Sequence, residues 1–277
     1  MKVCRTLINF YINSSIHVAF AVCALTWITL IKVKIPFDEN TICFVFFATI
    51  TAYNFIKYFG LAKFHHRSLA NWLRVIQIFS ALCFLLMFYY MTQLANAVIL
   101  LVVVLAIVTF LYAIPFIPKR FLYDEHQNLR QIGGLKVYII GMVWSFVTVL
   151  IPILNNGYEI NSDVVLLLLQ RFFLVIVLML PFEIRDLKYD SLKLATIPQK
   201  IGIKKTKRIG VLLLLVFFIL EFFKDELDSK SILSTLILLF ITFVFVVFAS
   251  KEQSRYYSAF WVEAIPVFWL MSLLLLF

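Results

Sequence analysis

The sequence predicts an all-α integral membrane protein, on three observations. Hydrophobic residues make up 63% of the 277 and charged residues 14%, whereas soluble domains run near roughly 45–50% apolar and about 25% charged. The apolar residues fall into nine runs of membrane-spanning length. Lys and Arg gather on alternate connections between those runs. With a mean hydropathy of +0.98, too little polar surface exists to clothe a soluble globule. A cytosolic enzyme, a secreted disulfide scaffold and a disordered chain are therefore excluded.

A hydrocarbon layer about 30 Å thick takes roughly 20 residues of helix. The first such run, Phe10–Ile31, follows Lys2 and Arg5, but Asn9, Asn13, Ser14, Ser15 and His17 interrupt any signal-peptide core, so it reads as a retained span. Next come Thr41–Phe59, Trp72–Met91 and Ala95–Ile114, each bounded by polar or charged residues. Leu135–Leu154 and Val164–Phe182 flank a short connection without Lys or Arg. Ile209–Phe223, Ile232–Ala249 and Tyr257–Phe277 complete the set. Nine spans absorb nearly all the hydrophobic residues, so the chain reads as a single transmembrane domain, 1–277, with no room for a soluble one. Cys4, Cys23, Cys43 and Cys83 form no C-x-x-C pair and read as apolar fillers.

Orientation follows the positive charges. With the N-terminus cytoplasmic, 20 of the 25 Lys and Arg fall on cytoplasmic segments, four fall opposite (Lys32, Lys34, Lys224 and Lys230), and Arg171 lies within a span. The net charge of +10 is thus an orientation signal, with no support for nucleic-acid binding. The long, basic cytoplasmic connections after spans two, four and six are where function is expected. The protein is expected in the cytoplasmic membrane with its site facing the cytoplasm.

The connection after span six carries the chemistry. Glu183, Asp186 and Asp190 are spaced i, i+3, i+7, within about 60° of one another on a helix. Three converging carboxylates repel unless a cation lies between them, and hard oxygen ligands suit Mg²⁺ shared with substrate phosphates. Local neutralisation by Arg185 and Lys188 is the alternative. Arg171, beside Gln170 and about 12 Å down the helix from Asp163, is the one charge deep in a span. Such a charge costs from about 2.5 kcal/mol upward and marks a functional candidate. Glu263, early in span nine, has a similar status.

Nine spans, the Glu183-x-x-Asp186-x-x-x-Asp190 motif and the following Thr196-Ile197-Pro198…Gly202 resemble the UbiA superfamily of intramembrane prenyltransferases. Tyr112-Ala113-Ile114-Pro115 followed by Lys119-Arg120 is similar to that family's Tyr-rich, Lys-ended loop. The resemblance implies two four-helix halves, about 1–130 and 131–250, plus a ninth helix, 257–277, around a lipid-facing cavity. It implies transfer of a prenyl group from a prenyl diphosphate to an aromatic or other apolar acceptor. Glu183, Asp186 and Asp190 would hold metal, Lys119, Arg120, Lys57 and Arg67 would contact diphosphate, and Asn54 would orient either. Tyr112 and Arg171 are further cavity candidates.

The sequence departs from the family at the end of span two. Where an Asn-Asp-x-x-Asp-x-x-x-Asp motif belongs, Asn54 remains, but Phe55, Tyr58 and Ala62 occupy the Asp positions. Neither Asp nor Glu occurs between Glu39 and Asp124; Lys57, Lys63, His65, His66 and Arg67 stand there instead. One Mg²⁺ rather than two is then expected, with cations offsetting the remaining diphosphate charge. The alternatives are a non-catalytic isoprenoid- or lipid-binding membrane protein and, less favoured, a secondary transporter using Gln170-Arg171.

Overall fold

Inside a lipid layer no water is present to satisfy backbone N–H and C=O groups, so membrane spans are helical and each departure from helix must find its partners within the protein. The computed structural model describes residues 2–64, 71–114, 134–188 and 196–276, without the side chains of 2–5, 59–64 and 71. The described residues form helices α1 (Lys2–Asn13), α2 (Ile16–Lys32), α3 (Glu39–Phe64), α4 (Asn71–Met91), α5 (Asn96–Ala113) and α6 (Leu135–Ser145). A π-helical segment, Phe146–Leu150, leads into α7 (Ile151–Asn155). Then follow α8 (Ser162–Asp186), α9 (Ile197–Glu221), α10 (Ser229–Phe248), a second π segment (Tyr257–Val262) and α11 (Glu263–Leu276). No strand occurs among the described residues.

Among the described residues, seven helical stretches are long and apolar enough to cross a membrane, or eight if the bent pair formed by α1 and α2 counts as one. Two departures from the nine expected spans have physical causes. The run Phe10–Ile31 is not one straight helix: it breaks at Ser14–Ser15, where Ser15 takes a left-handed conformation (φ 64), and the axes bend by 55°. Span seven begins inside a longer helix. Its first half carries Lys200, Lys204, Lys205, Lys207 and Arg208 and kinks at Gly202 (φ 79), so α9 as a whole is not apolar enough to be counted.

Two helices form the middle of the bundle. Most of α2 is buried, and α8 is the most buried of the candidate spans, at 61%. The α2 helix packs along α3 and α11, while α8 packs along α6 and α9. The largest buried cluster joins Leu25 and Ile28 of α2, Leu174 of α8, Phe217 of α9, Leu238 of α10 and Trp269 of α11. By contrast, α4, α5 and α10 present Leu85, Leu100 and Phe240 outward, as lipid-facing helices do.

Contacts sort the connections into two groups at opposite ends. At one end, Tyr58 donates to the Asn13 carbonyl, Lys188 pairs with Glu252, and Arg255 donates to Asn13. At the other, Lys32 pairs with Glu221 and Lys34 with Glu226. There Asp38 caps α3 through the Thr41 N–H and hydroxyl and also accepts from Asn155 and Asn156. Burial acts to raise the Asp38 carboxyl, but those four donors outweigh it and hold it below the usual carboxylate range. These are the two sides that the charge count separates.

A glycine permits one close approach. A Cβ at Gly210 of α9 would lie 2.8 Å from Leu180 Cδ1 of α8 and 3.1 Å from Val246 Cγ1 of α10. Gly210→Ala is therefore expected to destabilise the protein by about 1–3 kcal/mol through overpacking. The measurement is the thermal unfolding midpoint in detergent, and an unchanged midpoint would contradict this three-helix contact.

Candidate functional site

At the end of the bundle that holds α1, the helices splay around a cavity of about 740 Å³. Its mouth is polar. Lys57 and Tyr58 lie in the last two turns of α3, Lys136 opens α6, Arg185 and Asp186 close α8, and Arg255 lies before the second π segment. One to three turns deeper, the wall becomes Ile56 and Tyr53, Ile139, Val143 and Trp144, then Phe182, Met179, Leu178 and Val175. From Asp186 to Val175 the α8 wall descends about 16 Å at 1.5 Å per residue. Glu263 interrupts this apolar depth. The cavity thus has a charged rim and an apolar floor, the shape of a site for an amphiphile with an anionic head.

Rim electrostatics follow from pairing. Lys136 donates to Glu183 at 2.9 Å, with the Glu183 side chain almost fully buried. Arg185 pairs with Asp186 at 2.7 Å and donates to Ser258 at 2.8 Å, its guanidinium 5.3 Å above the Phe182 ring. Lys57 donates to the Ser15 hydroxyl at 2.8 Å and lies 5.9 Å over the Tyr53 ring. Among the described residues, neither Lys57 nor Arg255 is ion-paired. Both flank the break between α1 and α2 and line the mouth of the cavity.

The expected site residues divide accordingly. Lys57, Asp186 and Tyr112 share the cavity wall. Glu183 is turned behind the wall toward Lys136, although it lies within one turn of Asp186. Asn54 is not among the lining residues. Its side chain accepts from Ser15 Oγ at 2.7 Å and donates to the Ser14 carbonyl and Ser80 Oγ, bracing the break between α1 and α2. Arg67, Lys119, Arg120 and Asp190 lie outside the described residues, as do His65 and His66. The Thr196-Ile197-Pro198…Gly202 motif starts α9: the Thr196 N–H donates to Gln199 at 2.9 Å, and Gly202 makes the kink.

Sequence reasoning assigned Arg185 and Lys136 to local neutralisation and to topology, and it gave Arg255 and Tyr53 no site role. The usable signal was position: each falls within a turn or two of the predicted cytoplasmic end of a span. Glu263 was noticed, but its wall was not predictable from spacing.

As for metal, the described residues contain no cluster of three or more carboxylate, His or Cys side chains placed to hold an ion. Asp186 offers hard oxygen on the cavity wall, as Mg²⁺ requires, while Glu183 is held by Lys136 and does not join it. The described residues thus fit an ion only as one end of a set completed elsewhere.

Arg171 lies away from the cavity, in a buried knot at the opposite end. Glu221 accepts from Lys32 at 2.8 Å, Lys224 at 2.7 Å, Gln170 at 2.8 Å and Ser231 at 3.0 Å. Arg171 donates to Thr29 at 3.1 Å and stacks 5.5 Å over Trp269. This knot ties α2, α8, α9, α10 and α11 together. Gln170 and Arg171, the pair behind the transporter alternative, belong to it.

No protein-family model matches the sequence, and a comparison with curated proteins finds no match. A search of solved structures finds a structure of digeranylgeranylglyceryl phosphate synthase, a UbiA-superfamily prenyltransferase of membranes. The two share 16% sequence identity, with a TM-score of 0.57 covering 98% of this chain and 97% of that one. The chain therefore shares the fold of that structure.

The buried knot yields a stability test. Glu221→Gln strands Lys32 and Lys224 in an apolar surround and is expected to cost about 3–5 kcal/mol. Glu226→Gln removes only a fully exposed partner of Lys34 and should leave the unfolding midpoint where it was. Equal midpoints for the two variants would contradict the structural role of Glu221.

Proposed function

We propose that the protein binds a prenyl diphosphate in this cavity and transfers the prenyl group to an apolar or aromatic acceptor. The observation that carries this reading is the shared cavity: Lys57 of α3 and Asp186 of α8 face one mouth above an apolar floor. The fold shared with that synthase supports it from outside the chain. The proposal includes nine spans in two four-helix halves plus the last helix, and a cytoplasmic N-terminus.

On this reading the diphosphate lies at the mouth between Lys57, Lys136, Arg185 and Arg255, and the chain runs down the floor toward Val175. As the allylic C–O bond breaks, negative charge grows on the leaving diphosphate. Preplaced cations oppose it more strongly in a dry cavity than in water. The allylic carbon becomes positive near the Tyr53 and Trp144 rings, whose faces attract a cation. An apolar floor keeps out water that would otherwise capture that carbon before the acceptor. One Mg²⁺, held by Asp186 with Asp190, would when bound offset part of the diphosphate charge. Lys119, Arg120 and Arg67 are proposed as further diphosphate contacts.

A second reading is a non-catalytic isoprenoid-binding protein. It is favoured by Phe55, Tyr58 and Ala62 occupying the positions where the resembled family carries its first carboxylates.

The assay is binding of a fluorescent prenyl diphosphate analogue to purified protein, with Mg²⁺ or with EDTA, beside turnover over several aromatic acceptors. Lys57→Ala is expected to weaken binding about tenfold or more under both conditions, the loss of a charge-assisted contact. Asp186→Asn should weaken only the Mg²⁺-dependent part. Indifference to both substitutions removes the diphosphate site, whereas normal binding without turnover puts the second reading ahead.

Sidedness has its own test. In a background lacking the four native cysteines, Asn156→Cys should react with an impermeant thiol reagent on intact cells, and Lys251→Cys should not. The reverse pattern would overturn the cytoplasmic N-terminus.

A further inference from the structure

The short helix α1 is not long enough to cross a membrane by itself, and its residues say where it belongs. At 100° per residue, Lys2, Arg5, Asn9 and Asn13 fall on one side, and Val3, Leu7, Ile8 and Tyr11 on the other. Its polar side meets protein: Asn9 accepts from the Tyr256 hydroxyl at 2.8 Å, and Asn13 accepts from Arg255. On its apolar side Tyr11, beside the bend, reaches His17, but Leu7 and Ile8 face outward. Leu7 is 64% exposed and Ile8 40% exposed, although both belong to a hydrophobic face.

Geometry limits what can cover that face. The 55° bend turns α1 away from the α2 axis, so α1 does not extend α2 as one straight span. The bend is held by three residues of α3. Asn54 bonds both Ser14 and Ser15, Lys57 donates to Ser15, and Tyr58 donates to the Asn13 carbonyl. Phe10 packs edge-on against Phe79 of α4, with centroids 5.9 Å apart, one turn before the bend. Charge points the same way: Lys2 and Arg5 are present, and neither Asp nor Glu occurs before Asp38.

We propose that α1 lies in the headgroup layer of the leaflet at the cavity end, Leu7 and Ile8 immersed at the acyl boundary and Lys2 and Arg5 drawn to anionic phospholipid. An amphipathic helix with a basic polar side binds a membrane surface in this way, its apolar side about 5–10 Å deep. Ile12 and Asn13, at the inner end of α1, line the cavity. The mouth is thereby held at headgroup level, where an amphiphile can pass between bilayer and cavity without crossing water. This placement stands whether or not the cavity takes a prenyl diphosphate.

The test uses the full-length protein with the four native cysteines replaced by alanine. Nitroxide labels at Leu7→Cys and, separately, Thr6→Cys are examined in phosphatidylcholine vesicles with and without phosphatidylglycerol. Power-saturation spectra should show the Leu7 label reached by oxygen and shielded from a water-soluble relaxant, and the Thr6 label the opposite. Phosphatidylglycerol should increase the shielding at Leu7, and Lys2→Ser with Arg5→Ser should abolish that increase. Aqueous exposure of the Leu7 label equal to that of the Thr6 label would overturn the proposal, and so would indifference to phosphatidylglycerol. A second variant, Leu7→Asp with Ile8→Asp, touches only the lipid-facing side. It should leave helix content and the unfolding midpoint unchanged while raising the mobility of the Thr6 label; unchanged mobility would likewise overturn the proposal.

Discussion

Repair of broken helix around α2 is the constraint on which the cavity depends. A carbonyl or N–H released from helical pairing inside lipid costs several kcal/mol unless a partner stands ready. Three irregularities surround α2, and each has such a partner. Asn54 takes up Ser14 and Ser15 at the break. Thr29 donates to the Thr148 carbonyl in the first π segment at 2.7 Å. His17 Nε2 meets the Phe260 carbonyl in the second at 2.8 Å. A carbonyl only accepts, so His17 carries its proton on Nε2, and its Nδ1 accepts from the Tyr11 hydroxyl at 3.0 Å.

Each repair also shapes the site. The Asn54 brace holds Asn13 against Arg255 and Lys57 against Ser15, which sets two of the four rim cations. Winding of the Tyr257–Val262 π segment precedes Glu263, and Pro266, having no N–H to return to the Val262 carbonyl, loosens the next turn. Ala259, Val262, Glu263 and Pro266 all line the cavity. Around α2, irregular backbone is thus found where it faces a cavity or where α2 and α3 supply polar partners.

Charge is divided between the two ends for different ends in view. Glu221 itself is saturated by four donors and its surrounding cations are buried, so that knot is structural, although Gln170 Oε1, Arg171 Nη1 and Trp269 Nε1 within it have no hydrogen-bond partner. At the mouth, Lys57 and Arg255 hold only a hydroxyl and an amide oxygen among described residues, so their charge stays available. Burial with saturation rigidifies, whereas exposure to a cavity without saturation leaves capacity to bind. Arg171 shows why depth alone misleads: it is the deepest charge in the sequence, yet it stacks on Trp269 far from the mouth.

Composition alone determined the solvent, the helical class and the two-sided distribution of Lys and Arg, because lipid burial and the positive-inside bias are summed over many residues. Motif spacing points to Asp186 and the α9 start, and the loss of carboxylates near Asn54 points to Lys57, which lines the cavity. The tertiary structure alone decided which polar residues brace and which ones face the cavity. Asn54 and Glu183 look like site residues in sequence but are turned toward a helix break and toward Lys136. Arg255 and Lys136 look like topological charges but reach the mouth. Side-chain direction depends on the rotation of each helix about its axis, and that rotation is set by packing partners far apart in sequence, such as Asn54 with Ser15 and Arg255 with Asn13. No local spacing encodes it.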